Sequence, residues 1–317
     1  MEASAGRGSR RRNNGALLAL PAAIWLAIFF AAPLLIVLVM SFTTRGTTPS
    51  DYQLPLTLTN YRETFSPAYQ PILERSVTLA LKATFICFLI GYPLAFFIST
   101  RRRKWVRFLA LFLVILPFWT NFLIRTYALR SLLGRRGLLS EIFHFQLGWL
   151  DAPLNILNTE TAVLIGLVYG FLPFMVLPIY ASIERFDFKL VEAGHDLGAN
   201  DLRVFWRVVL PLTLPGVVAG WILVFIPAVG AFVTPDLLGG SRYQMIGNVI
   251  QRMFRGSGGN FPLGSAMSIA VMTLVMLSLL VYFRASGGAH LGSGWLNSLR
   301  GAGPRAASAA PTCITEY

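Results

Sequence analysis

The side chains with the greatest chemical reactivity are scattered along this sequence of 317 residues. The three histidines, His144, His195 and His290, lie in separate segments and form no ligand set. No Walker A motif, zinc-ligand spacing or Gly-x-Ser-x-Gly elbow occurs. We therefore expect no catalytic residue, no metal site and no cofactor in this chain. If the chain moves a solute against its concentration gradient, the energy must come from a partner protein or from an ion gradient.

One hydrophilic stretch, 186–211, combines charged, small and apolar residues at regular spacing. Its first half repeats apolar and small residues at helical spacing: Phe186, Leu190, Ala193, Gly194 and Leu197. Gly198 can end that helix and Asn200 can cap a second one. The pattern predicts two short amphipathic helices whose small residues let another surface approach the backbone. A helix pair lying on lipid headgroups fits the same pattern.

The composition indicates a membrane protein. Hydrophobic residues make up 55% of the chain and charged residues 13%, with a mean hydropathy of +0.61. A soluble domain carries about 25% charged residues. The net charge of +13 could suit a nucleic-acid partner, but the Lys and Arg residues lie in short clusters between long apolar runs. Such clusters are typical of a multi-span protein, so we expect lipid and not nucleic acid around this chain.

Six apolar stretches are long enough to cross a bilayer. They cover 16–42, 77–99, 108–124, 161–183, 214–234 and 263–283. The first follows a basic segment, 1–15, but exceeds the h-region of a signal peptide, about 7–15 residues, so we interpret it as a retained span. The fold class is an all-α integral membrane protein, with a transmembrane domain over 16–284. The Gly-, Ala- and Ser-rich tail, 285–317, is expected to be disordered.

The distribution of basic residues predicts the orientation. With the N-terminus inside, the cytoplasmic segments hold 16 of the 27 Lys and Arg residues and the outer segments hold 10. Basic residues concentrate in cytoplasmic loops. Both termini and the loop 184–213, between the fourth and fifth spans, are therefore expected in the cytoplasm.

The loop 184–213 resembles the EAA signature of bacterial ABC importer permeases, which reads EAA, three residues, Gly, nine residues, Ile, one residue, Leu-Pro. The matching positions are Glu192, Ala193, Gly194, Gly198, Val208, Leu210 and Pro211. Gly194 replaces the second Ala and Val208 replaces Ile, while every spacing is kept. The resemblance implies that this loop forms a coupling helix seated in a cleft of an ATP-hydrolysing subunit.

A wider resemblance, over about residues 16–284, points to the spermidine/putrescine permease subgroup. It is carried by Leu116 to Arg130, Leu210 to Gly240 and Ile246 to Gln251. It implies a polyamine solute and a bacterial inner-membrane location, although sister permeases for opine-like or phosphonate solutes are similar. The implied partners are two copies of an ATPase that binds ATP-Mg, a second homologous permease subunit, and a periplasmic or surface-tethered solute-binding protein.

Several residues could line a path for a polyammonium solute, because aromatic faces and carboxylates attract cations. The candidates are Trp119, Tyr127, Tyr169, Phe174 and Asp236. For each aromatic residue an interfacial belt or core packing is favoured over a substrate contact, whereas helix capping or loop bonding accounts for Asp236 as well as a solute contact does. Lys82 and Arg125 are expected to snorkel or to bond between helices near the outer span ends.

Two other classes of protein remain to be weighed. An ion-driven secondary transporter usually carries acidic residues within its spans, and these spans hold essentially none. A membrane-embedded enzyme would need a catalytic cluster, which is lacking. The sequence therefore favours a non-catalytic importer permease that works by alternating access.

Overall fold

The computed structural model describes residues 13–46, 52–53, 56–135, 137–142, 156–255 and 258–285. The basic segment up to residue 12 and the tail from residue 286 lie outside the described residues. The chain divides into two compact units, 1–272 and 273–317. The helices are α1 (Asn13–Leu26), α2 (Ala32–Ser41), α3 (Thr59–Thr64), α4 (Gln70–Thr100), α5 (Lys104–Ile115), α6 (Phe122–Leu133), α7 (Leu138–Ser140), α8 (Glu160–Glu184), α9 (Lys189–Asp196), α10 (Asp201–Val204), α11 (Leu210–Val229), α12 (Val233–Leu238), α13 (Ile246–Met253) and α14 (Phe261–Ala285). Two short strands, β1 (Thr44–Arg45) and β2 (Tyr52–Gln53), pair antiparallel.

Five helical stretches are long and apolar enough to cross a membrane. They are Leu20–Ser41, Gln70–Thr100, Glu160–Glu184, Asp201–Val229 and Phe261–Leu280. Each overlaps one of the predicted spans. The first contains a π-helical segment, Ala27–Ala31, between α1 and α2, and its apolar surface is not buried against the rest of the described chain.

The third predicted span, 108–124, is not one straight helix. Helix α5 continues through a 3₁₀ turn, Leu116–Trp119, and α6 then leaves at 97°. Pro117 lies in that turn and Thr120 is extended, while the Asn121 side chain caps α6 by accepting from the N–H of Leu123 at 2.8 Å. The chain thus stops one helix and starts another inside a single apolar run, which hydropathy alone does not register. We call this break, 116–121, the elbow.

The fifth span begins earlier than predicted. Helix α10 runs through a π-helical segment, Phe205–Val209, directly into α11. A proline within a helix has no N–H to donate, and its ring crowds the carbonyl of the preceding turn. The π-helical segment lies just before Pro211, where the hydrogen-bond pattern of the helix changes. The second short helix of the loop is therefore the first part of the fifth span.

Helices α4, α8 and α11 pack against one another and form the core of the first unit. Buried apolar residues of all three meet in one cluster, and the hydroxyls of Tyr92 and Thr213 lie 3.0 Å apart between α4 and α11. Small residues bring α11 close to α8: a Cβ added at Gly216 would lie 2.4 Å from the Cβ of Ser182. Close approach through small residues is the usual way that membrane helices gain contact.

Candidate functional site: the α8–α11 loop and the elbow

Helix α9 is defined at both ends by local hydrogen bonds. The Asp187 carboxylate accepts from the N–H of Lys189 at 3.0 Å. At the other end, the N–H of Ala199 donates to the carbonyl of Gly194 and that of Gly198 to the carbonyl of His195. Gly198 has φ +78°, the left-handed conformation that this C-terminal motif requires. The helix stop predicted at Gly198 is thus present.

The turn into α10 is equally well specified. The Asn200 side chain accepts from the N–H of Arg203 at 3.0 Å, as the predicted cap requires. His195 Nε2 lies 3.0 Å from Asp201 Oδ1, which links the end of α9 to the start of α10. Local side-chain bonds therefore define the start of α10 and join it to the end of α9.

Gly194 has a close neighbour within the chain itself. A Cβ at position 194 would lie 3.0 Å from Cγ2 of the buried Val204. Helix α10 therefore approaches Gly194 closely, and the contact of Gly194 with an ATPase stays a prediction. At Gly198, by contrast, an added Cβ meets nothing within 4 Å.

The outward surface of the loop is partly apolar. Leu197 is 89% exposed and Leu202 66% exposed, and Glu192 and Ala193 are exposed as well. The remaining signature residues continue into the fifth span: Val208 is half-buried, Leu210 packs on the core cluster, and Pro211 is exposed. The loop therefore presents both apolar side chains and a carboxylate at its surface.

Arg125 is held at the elbow and does not reach outward as a snorkelling residue would. Its Nη1 donates to the carbonyl of Pro117 at 3.0 Å. Its guanidinium carbon lies 5.5, 5.5 and 5.6 Å from the ring centres of Phe118, Phe122 and Tyr169. Attraction between a guanidinium and aromatic faces operates within about 6 Å. Arg125 therefore joins both sides of the elbow to α8.

The structure brings only two of the five candidate path residues together. Tyr169 faces Arg125, and Phe174 packs edge-on against Phe118 at 4.9 Å. The other three lie apart from this cluster. Trp119 packs on Phe112, Tyr127 lines a separate cavity of about 450 Å³, and Asp236 is exposed in the first turn of α12.

The partner of Lys82 was not predicted from the sequence. Lys82 Nζ on α4 donates to Glu160 Oε1 on α8 at 2.6 Å, so that of the two expectations for Lys82 the structure shows bonding between helices. The sequence signal for this pair was that Lys82 lies inside one apolar run and Glu160 at the start of another. Among the described residues, no cluster of His, Cys, Asp or Glu could hold a metal ion.

A bundle of apolar helices with an ordered hydrophilic loop between two of them defines a polytopic membrane permease. Residues 88–286 match the family described as "binding-protein-dependent transport system inner membrane component", and the chain belongs to this family. It is a permease component of ABC importers.

Relatives with assigned functions cover most of the chain. It is 49% identical to the spermidine/putrescine transport system permease protein PotB of Haemophilus influenzae, over 83% of this chain and 90% of that protein. It is 46% identical to PotB of Escherichia coli K12, over 83% and 94%. A bacterial ABC transporter that imports alginate has a similar fold, with a TM-score of 0.68 at 17% identity over 88% of this chain and 97% of that one.

Proposed function

We propose that this chain carries putrescine, spermidine or a related polyammonium solute across the bacterial inner membrane. The relatives of 46–49% identity that bear the spermidine/putrescine name support this substrate class. Family membership argues against the ion-driven alternative, and opine-like or phosphonate solutes find no support among these two relatives. The rings of Tyr169 and Phe118 already lie against the guanidinium of Arg125, so this aromatic cluster adds no support for a polyammonium solute.

We further propose that the α8–α11 loop is the coupling site for an ATPase subunit. Glu192, Ala193 and Leu197 would contact the ATPase, while Gly194 and Gly198 hold the loop in shape. Two ATPase copies would bind ATP-Mg, and their closure would move the loops and alternate the access of the path. The observation that carries this proposal is that Glu192 and Leu197 are both exposed on the same short loop.

The complete transporter would contain a second homologous permease and a periplasmic or surface-tethered binding protein. The apolar surface of Leu20–Ser41, which is not buried against the described chain, leaves room for the second permease or for lipid. In this arrangement both termini and the coupling loop lie in the cytoplasm, in line with the bias of basic residues.

The Glu192→Lys variant tests the coupling proposal. Reversing this exposed charge should leave membrane insertion intact and should release the ATPase or uncouple ATP hydrolysis from uptake. The matched control is Glu63→Lys, because Glu63 is also exposed and forms no described ion pair. The measurements are pulldown of the ATPase and solute-stimulated hydrolysis in proteoliposomes. Wild-type values for Glu192→Lys in both assays would refute the coupling role.

A further inference from the structure

A basic cavity lies at the junction of α4 and α5. Its volume is about 530 Å³. The lining residues are Phe97, Thr100, Arg101, Arg102, Arg103 and Val106. Three arginines therefore line one cavity whose described lining contains no carboxylate.

These arginines are uncompensated within the described part of the chain. Arg101 stacks on the ring of Phe97 at 3.9 Å, and none of Arg101, Arg102 and Arg103 forms an ion pair with a described residue. Arg107, one turn further on, is paired with Glu184. Arginines that serve only to orient the chain in the membrane need no fixed side-chain position. Arg101, by contrast, is fixed against the ring of Phe97.

The start of α5 adds further attraction for an anion. No side chain caps this helix at Arg103, and Val106 in its first turn lines the cavity. The first N–H groups of a helix lack internal partners and carry the positive end of its dipole. Guanidinium groups and free N–H groups together are suited to phosphate oxygens.

Exposed apolar side chains flank the cavity. Trp105 is 72% exposed and Phe108 70% exposed on α5, and Phe97 on α4 is also exposed. A free phosphate ion has no apolar group that could contact these side chains, whereas the acyl chains of a lipid would cover them. Basic cavities between helices on the cytoplasmic side of membrane proteins are suited to anionic lipid headgroups.

We propose that this cavity binds the phosphate headgroup of an anionic phospholipid, with Arg101, Arg102 and Arg103 on the phosphate and with Phe97, Trp105 and Phe108 along the acyl chains. The inference rests on the orientation given under the proposed function, which places 101–103 at the cytoplasmic surface. It does not depend on the identity of the solute or on coupling.

Quenching of Trp105 fluorescence by brominated lipids tests this site directly. The assembled transporter is placed in phosphatidylcholine nanodiscs doped with either brominated phosphatidylglycerol or brominated phosphatidylcholine. The signal of Trp105 is the difference between the wild type and Trp105→Phe. Each basic residue near an anionic membrane surface strengthens binding by a factor of about five. With three arginines, brominated phosphatidylglycerol should therefore give the same quenching of Trp105 as brominated phosphatidylcholine at a mole fraction on the order of 100-fold lower.

The combined variant Arg101→Gln/Arg102→Gln/Arg103→Gln should lose this preference. The control Arg45→Gln/Arg130→Gln/Arg255→Gln removes the same charge from exposed residues elsewhere and should keep it. Equal quenching by both lipids in the wild type, or a preference kept by the first variant, would overturn the proposal.

Two further outcomes identify a different ligand. If inorganic phosphate displaces phosphatidylglycerol at equal concentration, the cavity takes a free anion and the lipid assignment is wrong. If the triple variant loses the ATPase in pulldown and keeps its lipid preference, the arginines form a protein interface. If the wild-type transporter carries no polyamine but shows the lipid preference, the proposed function alone is refuted.

Discussion

Gly198 shows how a single residue shapes the loop. Its φ of +78° lies in the region where a β-branched residue is strained, and the space around it is open. Gly198→Val should cost about 1–3 kcal/mol at this turn and should lower coupled transport. Asn tolerates this conformation, so Gly198→Asn should retain most of the activity. The measurement is solute-stimulated ATP hydrolysis in proteoliposomes at matched permease abundance.

Equal, wild-type coupling in both Gly198 variants would show that the turn is not needed in this form. Loss of coupling in Gly198→Asn as well would show that the partner requires the empty space beside the backbone. The two variants therefore separate backbone conformation from volume.

Residue-level prediction succeeded where the cause is local. Gly198 and Asn200 act on groups within a few residues of themselves, so their roles follow from sequence spacing. The approach of Val204 to Gly194 could not be predicted, because the turn between the two helices brings these residues together. Arg125 was ambiguous for the same reason: its contact with Tyr169 depends on the packing of α6 against α8.

At the scale of elements, the elbow depends on Arg125. Replacing it with Leu removes the bond to Pro117 and the contacts with three rings, and a hydrogen bond to a charged group contributes about 2 kcal/mol. We expect the 97° bend to open in Arg125→Leu. Spin labels at the exposed positions Leu113 and Arg130 should then report longer and broader distances.

Two matched variants make the elbow experiment decisive. Arg125→Lys keeps a cation near the rings and should restore part of the wild-type distance distribution. Arg135→Leu removes an exposed arginine beyond the end of α6 and should change nothing. An unchanged distribution in Arg125→Leu would show that Pro117 and Asn121 suffice to fix the bend.

The contact between α11 and α8 is a second test at this scale. A Cβ at Gly216 would lie 2.4 Å from the Cβ of Ser182 and 2.7 Å from the carbonyl oxygen of Pro178. Because backbone cannot move aside cheaply, Gly216→Ala should destabilise the bundle by about 1–3 kcal/mol. Gly230→Ala is the control, since an added Cβ there meets nothing within 4 Å. Thermal unfolding in detergent should separate the two variants, and identical midpoints would contradict the close packing.

Hydropathy located the long helices because burial in lipid demands about 20 apolar residues whatever the packing. It could not locate the elbow, since both of its arms are apolar. It also could not locate the start of the fifth span, because 201–209 is amphipathic and continues the helix outside the apolar run. Pro117 and Asn121 are the residues from which the break could have been predicted.

For the whole molecule, the scarcity of acidic residues within the spans bears on how the solute is chosen. A polyammonium ion needs carboxylates for tight binding, whereas exposed aromatic faces contribute only about 0.5–1 kcal/mol each. Specificity should therefore reside mainly in the binding protein, and the permease should offer a weak path. Such a division also favours release on the cytoplasmic side.

Uptake measurements test this division and the substrate together. Deleting the gene should abolish uptake of labelled putrescine or spermidine, and a plasmid copy should restore it. Tyr169→Leu should lower uptake only a few-fold, because the face of this ring already lies against Arg125 and a single face contributes little. Deleting the gene of the binding protein should abolish uptake. If polyamine uptake persists after deletion while uptake of an anionic solute is lost, the polyamine assignment is wrong, although membership of the permease family stands.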